Sequence, residues 1–289
     1  ISNLRALPQE TLTSDQREAL LSLLDYLEAP SPYALYLLTG YAGTGKTYLL
    51  RSITEAATRA GLHVELMAST GRAAKVLTGA TGRQASTIHR TIYRASTQLQ
   101  EEGGSFQLGR VSAGRPTLFI VDEASMISGD TGEVTPFGSG NLLDDLLAYV
   151  WSADESKLIL VGDTAQLPPV GTPLSDALNA EVLTSRYGLE VYGTELREVV
   201  RQKKGGILHN ATQLRQLLED SADLDPEELL PIHLETEGWR GIFAVEPGEF
   251  INTIDEAYRR YGVEECLVIC PSNKKALECN HAIRSAVLY

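Results

Sequence analysis

The chain has 289 residues, 43% of them apolar and 22% charged, and a net charge of −13. That length holds two domains and a sizeable core, and that balance belongs to an ordinary soluble globular protein. No apolar run approaches the roughly 20 residues of a membrane span. The three cysteines, Cys266, Cys270 and Cys279, are too few and too unevenly spaced for a disulfide framework. Cys270, Cys279 and His281 lie close in sequence, but no second Cys-x-x-Cys or His-x-x-x-His half accompanies them, so free thiols in a reducing, cytoplasmic setting are expected rather than a zinc site. The chain opens on Ile1-Ser-Asn, with neither an initiator Met nor a signal peptide. Its last residues, 273–289, read as a helix that stops, so a fragment of a longer protein is expected.

The charge is unevenly spread. Between Lys46 and Arg115 ten Lys and Arg stand against four Glu and no Asp, so this stretch carries +6 and the remainder of the chain −19. Six carboxylates fall between Glu219 and Glu228 alone. An acidic body with one basic stretch is compatible with a nucleic-acid groove, and equally with scattered solvated charges.

In chain order, Leu12-Thr13-Ser-Asp-Gln16 precedes an amphipathic helix with Leu20, Leu23, Leu24 and Leu27 on one face. Thr13-x-x-Gln16 fits a capping box. Alternatively the Gln16 amide, which donates and accepts at once, reads an adenine edge. Tyr33 to Leu38 reads as a buried strand and Thr47 to Ala60 as a helix. Between them Gly40-Tyr-Ala-Gly43-Thr44-Gly45-Lys46-Thr47 matches the phosphate-loop pattern G-x-x-x-x-G-K-[ST]. The glycines let backbone N–H groups of this loop turn toward phosphate oxygens, and the helix N-terminus adds partial positive charge. Lys46 is expected to reach the β- and γ-phosphates of ATP, and the Thr47 hydroxyl to ligate Mg²⁺.

Leu62 to Ala68 is the next expected strand. It ends in Ser69-Thr70-Gly71-Arg72, where hydroxyls and a helix N-terminus suit either an N-cap or a second anion such as a nucleic-acid phosphate. Ala85 to Arg90 is a short cap-like segment containing Thr87 and His89. Gln98 to Ser112 is polar, and Gln98–Glu102 and Ser105–Leu108 flank Gly103-Gly104, so a small β-hairpin or a surface loop is expected there.

Thr117-Leu-Phe-Ile-Val-Asp122-Glu123 is a central strand that delivers two acids at its C-terminal end, where parallel α/β sheets bind ligands. Asp122 is expected to hold Mg²⁺ through water, and Glu123 to orient and deprotonate the attacking water. Gly129 to Gly140 reads as a mobile loop and Leu142 to Trp151 as a helix. Lys157 to Val161 is a further strand running into Gly162-Asp163-Thr-Ala-Gln166-Leu-Pro168-Pro169. The paired prolines fix that loop, which gives Gln166 a defined place from which to sense a γ-phosphate. Alternating strands and helices predict an α/β fold with a parallel, doubly wound sheet.

Taken together, the ordered segments resemble the superfamily-one, B-type, ATP-dependent DNA helicases of the RecD-like and Dda-like kind. The resemblance is carried by Leu12 to Gln16, Gly40 to Thr47, Ala68 to Lys75, Ser86 to His89, Val121 to Met126, Gly162 to Val170, Glu195 to Gln202, and Ile269 to Arg284. It implies a first RecA-like motor domain in 1–92 and 116–194. It also implies a small duplex-splitting insert in 93–115 and an incomplete second RecA-like domain in 195–289. By the same resemblance Arg201 is an arginine finger, and Thr70, Thr87 and His89 line a single-stranded DNA track. The implied protein is a monomer that works at single-strand/duplex junctions, in the 5′-to-3′ direction, alongside repair or recombination proteins. Two departures stand out. Val200 sits where relatives often carry an aromatic, and the chain ends before the motifs expected late in the second domain. The competing class is an AAA-type or other P-loop ATPase acting on a protein partner, which has no need of Ser86 to His89 or of Gln166-Leu-Pro-Pro.

Overall fold

A computed structural model of the protein describes residues 12–95, 106–111, 114–127, 129, 136–153, 155–169, 174–200, 205–220 and 232–288. The chain divides into two compact units, Ile1–Lys203 and Lys204–Tyr289.

The first unit is built on a six-stranded sheet. Its strands are β1 (Ala34–Gly40), β2 (His63–Ala68), β3 (Ala85–Thr87), β6 (Thr117–Asp122), β7 (Ser156–Gly162) and β8 (Glu190–Leu196). Every pairing is parallel, in the order β3-β2-β6-β7-β1-β8. The central strands are apolar almost throughout because both faces of the sheet are covered. Alternate side chains enter opposite cores. Leu35, Leu37, Phe119, Val121, Leu158 and Leu160 join one cluster. Tyr36, Leu38, Leu118, Ile120, Ile159 and Val161 join the other.

Helices close each face. On the second face lie α1 (Ser14–Glu28), α2 (Lys46–Arg59) and α3 (Gly71–Thr81), through Leu23, Leu49, Leu50, Ile53 and Leu77. The first face is covered by α4 (Ile88–Ile92) and α5 (Leu142–Val150), through Ile88, Ile92, Leu143 and Leu146. The expected doubly wound α/β architecture is therefore present. Leu38 is fully buried against the α2 face, and truncating such a side chain to Ala costs about 2–5 kcal/mol.

The strand order positions the site. β7 lies between β1 and β6, so the chain ends of β1, β7 and β6 stand side by side on one edge. Neighbouring strands are roughly 4.8 Å apart, so residues from three distant stretches of sequence meet there.

An antiparallel pair, β4 (Tyr93–Ala95) with β5 (Phe106–Leu108), forms a separate two-stranded sheet in this unit. The downstream arm of the expected hairpin is thus found, but its partner is Tyr93–Ala95, upstream of the expected arm; Gln98–Glu102 lies outside the described residues. The pair is fastened by Phe106, which stacks on Phe137 at 4.7 Å and accepts a backbone hydrogen bond from Gly138. Tyr93 donates to buried Asp145 at 2.7 Å. Residues 136–140 of the loop expected to be mobile are therefore pinned, and 130–135 lie outside the described residues. Glu190–Leu196 continues the first sheet as its edge strand beside β1, so the sequence boundary at 194/195 falls within β8.

The second unit contains α7 (Gly206–Asp220), α8 (Phe250–Tyr261) and α9 (Asn273–Ile283); the short helix α6 (Ala180–Ser185) precedes it in the first unit. Asn210 donates to the carbonyls of Gly206 and Glu235 and accepts from the Glu235 N–H, which fixes the 232–239 segment on α7. Cys270 and Cys279 have sulfurs 3.8 Å apart as free thiols. Among the described residues no group of three or more metal-ligating side chains gathers. No described helix is long and apolar enough to cross a membrane.

Candidate nucleotide and nucleic-acid site

The phosphate loop connects β1 to α2. Gly45 has φ +86°, a left-handed conformation that an L side chain adopts only with strain, and a Cβ there would run into the amide nitrogen of Gln16. Gly43 has φ +84°. Together they fold the loop back over the start of α2. The Thr44 hydroxyl donates to the Tyr41 carbonyl at 2.8 Å, and Thr44 itself is buried. Lys46 begins α2, and its ammonium donates to the carbonyls of Gly40 at 2.5 Å and Tyr41 at 3.0 Å. The lysine thus lies across the loop it serves. Thr47 follows in the first turn of α2, half-exposed.

Two strands away, Asp122 closes β6. Its carboxylate accepts the Glu123 N–H at 3.0 Å. Burial, with Glu123 as a neighbouring acid, pushes the Asp122 carboxyl up to about 6, while Lys46 pulls in the opposite direction. A desolvated acid beside a second acid favours an added cation, so Asp122 fits a divalent metal. Glu123 has φ +56° and ψ +42°, in the left-handed region that non-glycine residues rarely occupy. Such backbone strain clusters at functional sites, and here it turns the chain out of β6 into the short turn Ala124–Met126.

Gln166 stands at the end of β7. Asp163 builds the turn that presents it: its carboxylate accepts the Ala165 N–H at 3.0 Å, and its carbonyl accepts the Gln166 N–H at 3.1 Å. The Gln166 amide oxygen accepts from the buried Ser125 hydroxyl at 3.3 Å. Ser125 links the loop after β6 to the loop after β7, and Ser175 steadies the first of these by donating to the carbonyls of Ala124 and Ile127.

Gln16 satisfies the capping geometry in full. Its N–H donates to the Thr13 hydroxyl at 3.3 Å, and its side-chain oxygen accepts the Thr13 N–H at 3.2 Å. The same amide donates to the Thr44 carbonyl at 2.9 Å. Gln16 therefore joins α1 to the phosphate loop as well as capping its own helix.

Thr70 and Thr87 are realised as N-caps of α3 and α4, accepting from Ala73 at 3.2 Å and Arg90 at 3.3 Å. Thr70 follows the end of β2 and Thr87 closes β3, on the edge that carries Gly40 and Asp122. His89 sits in the first turn of α4 with its ring 5.1 Å from Phe137, and partial burial lowers its pKa. Arg201 lies outside the described residues. The stretch leading to it is held against α1 and the phosphate loop. Asp15 accepts the N–H groups of Arg197 at 2.8 Å and Glu198 at 2.9 Å, and the Val200 N–H donates to the Gly43 carbonyl at 2.9 Å.

One edge of the sheet therefore gathers Gly40, Gly43, Thr44, Gly45, Lys46, Thr47, Asp122, Glu123 and Gln166, with Thr70 and Thr87 farther along it. Sequence reasoning missed Ser125, Asp163 and Asp15. The first two lie inside segments that stood out for other residues; Asp15 has partners more than 180 positions away, and no local signal announces them.

At the level of sequence, the chain is 34% identical over 188 residues to the ATP-dependent RecD2 DNA helicase of Deinococcus radiodurans, a stretch covering 65% of this chain and 23% of that protein. It is 31% identical over 182 residues to the ATP-dependent DNA helicase dda of Enterobacteria phage T4, covering 62% of this chain and 37% of that one. The chain thus spans between about a quarter and two fifths of these relatives. Among solved structures, the Pif1 helicase of Candida albicans aligns with a TM-score of 0.44 at 20% identity, over 86% of this chain and 54% of that one. The resemblance to RecD-like and Dda-like helicases read from the ordered motifs is borne out by the two sequence relatives. A family model described as an AAA domain matches residues 11–225, most of the chain and the whole of the edge that carries the candidate site, so the protein belongs to that AAA domain family.

Proposed function

We propose that the protein is the motor portion of an ATP-dependent DNA helicase, which binds single-stranded DNA and couples Mg-ATP hydrolysis to 5′-to-3′ unwinding. The observation that carries this reading is the meeting of Lys46, Asp122, Glu123 and Gln166 on one sheet edge that continues to Thr70 and Thr87. Identity of 34% and 31% with two proteins named as DNA helicases favours a DNA motor over an ATPase acting on a protein.

Each residue then has a task. Backbone N–H groups of 43–46 and the α2 N-terminus receive the phosphates, and Lys46 exchanges its loop carbonyls for phosphate oxygens. Thr47 and Asp122 hold Mg²⁺, which when bound neutralises charge developing on the phosphoryl oxygens. Glu123 orients the attacking water and takes its proton. Gln166, steadied by Ser125, senses the γ-phosphate. Gln16 and the 197–200 segment flank the nucleotide base, and Arg201 supplies the finger that stabilises the transition state. Thr70, Thr87 and His89 contact the strand. Residues 93–115 form the duplex-splitting insert, and residues from 195 onward begin the second motor domain. Closing and reopening of the two domains around ATP drives movement along DNA. We place the protein in the cytoplasm as a monomer, acting at junctions beside repair or recombination proteins.

The test is a strand-separation assay with the full-length gene product on partial duplexes bearing either a 5′ or a 3′ single-stranded tail. The proposal expects ATP-dependent separation of the 5′-tailed substrate only. Separation of the 3′-tailed substrate alone overturns the polarity, and separation of neither overturns the helicase reading.

A further inference from the structure

The basic stretch identified in the sequence is only partly used by the nucleotide edge. Four of its arginines, Arg90, Arg94, Arg110 and Arg115, line a single pocket of about 400 Å³. Its floor is formed by Thr117, Phe119 and Tyr149, and His63 and Glu65 stand at its side. Thr117 and His63 open β6 and β2, whereas Asp122 closes β6. The pocket therefore extends from the opening ends of β2 and β6, where Thr117 lies roughly 17 Å from Asp122 along β6, to Ser86 of β3.

The charges here are poorly neutralised. Among the described residues none of the four arginines forms an ion pair with a carboxylate; the single acid lining the pocket, Glu65, lies 3.4 Å from His63 instead. Arg94 is held in place by donating to the carbonyls of Arg90, Thr91 and Tyr93. All four residues are exposed. Like charges brought together on an otherwise acidic protein repel unless an anion joins them, and guanidinium groups match phosphate geometry with paired donors.

Position narrows the anion. Arg90 lies in the same turn of α4 as Thr87, whose hydroxyl accepts the Arg90 N–H. Arg94 belongs to β4, and Arg110 follows β5 by two residues. The pocket is thus at the root of the β4–β5 ribbon, beside α4. On the helicase reading, on which this inference rests, the edge holds the strand being tracked and the ribbon parts the duplex. We infer that the arginine pocket binds the backbone phosphates of the second, displaced DNA strand.

The experiment compares two probes on the full-length gene product: a single-stranded oligonucleotide, and a fork with the same tail plus a second, non-complementary tail. The variants are Arg110→Glu with Arg115→Glu, and separately Arg90→Gln. The double variant is expected to lose at least tenfold in affinity for the fork. Its dependence on salt should weaken by about one unit of log–log slope for each phosphate contact removed. Affinity for the single strand and DNA-stimulated ATP hydrolysis should stay as in the wild type, which also shows that the variant is folded. Arg90→Gln should lose fork affinity in the same sense and to a smaller degree. Unchanged fork affinity overturns the inference, as does an equal loss on both probes, which would assign the pocket to the tracked strand. A wild-type protein that binds neither probe defeats the helicase reading itself, a result distinguishable from the other two.

Discussion

The side-chain amide of Gln16 donates a hydrogen bond to the Thr44 carbonyl at 2.9 Å, and its nitrogen occupies the space where a side chain on Gly45 would begin. One glutamine therefore caps α1 and braces the phosphate loop. Replacing Gln16 by Glu keeps a capping oxygen but removes the donor to Thr44. Such a bond contributes about 0.5–1.5 kcal/mol, so nucleotide affinity should fall by up to about tenfold. Thermal stability should fall less than in Gln16→Ala, which loses the cap as well. Titration with a fluorescent nucleotide analogue and a melting curve separate the two effects; nucleotide affinity that is unchanged in Gln16→Glu would mean that the bond to Thr44 contributes nothing to binding.

Asp15 performs a similar service for the chain leaving β8. One carboxylate oxygen accepts both Arg197 N–H and Glu198 N–H, and these bonds hold its pKa below the usual value. The folded pKa is depressed, so this contribution is present above pH 3.8 and is lost as pH falls through the folded value. Asp15→Asn retains an oxygen able to accept both bonds, whereas Asp15→Ala does not. Steady-state kinetics should show a higher KM for ATP in the alanine variant and near-wild-type behaviour in the asparagine variant. If both variants match the wild type, the 197–200 segment does not depend on this clamp.

Asp122 has the opposite sign. Its carboxyl is raised from 3.8 to about 6, mainly by burial. Between those values the folded state holds more protons than the unfolded chain, so stability is lost as pH rises through the window. Asp122→Asn removes that loss. The nucleotide-free variant should melt higher than the wild type above pH 6, and the difference should shrink as pH falls toward 3.8. With Mg-ATP present the order should reverse, because the variant lacks the charge that holds the metal. A difference in melting temperature that is constant with pH would refute the assignment of the shift to this carboxyl.

Glu123 and Lys46 should fail differently. Glu123→Gln retains shape and nucleotide binding but removes the base, and turnover should fall by roughly 10²–10⁴. Lys46→Ala should weaken binding and abolish turnover together. Calorimetric binding measured beside single-turnover hydrolysis distinguishes them; turnover that survives Lys46→Ala would move the active site elsewhere.

Much of the fold was legible because the signals were local. The runs Leu35–Leu38 and Leu118–Val121 are apolar on both faces, as only covered parallel strands are, and the glycines with Lys46-Thr47 mark a strand-to-helix turn. β3 and β8 were not read as strands. Ala85–Thr87 has three residues, and Glu190–Leu196 is fully buried only at its last residue with no two-residue alternation, so neither stands out from a loop. The insertion of β7 between β1 and β6 is a property of topology that no window of sequence contains, yet it is what brings Gln166 to the acids. Individual site residues were visible as types, whereas the bonds that position them, Ser125 to Gln166 and Asp15 to Arg197, join segments 41 and 182 residues apart.

The most direct test of the central claim is steady-state ATP hydrolysis by the full-length gene product, measured with and without a single-stranded DNA oligonucleotide. The account predicts strong stimulation by DNA, lost in Lys46→Ala and Glu123→Gln. Hydrolysis that is indifferent to DNA would leave the phosphate loop as a working nucleotide site and contradict the nucleic-acid motor, in favour of an ATPase that acts on a protein.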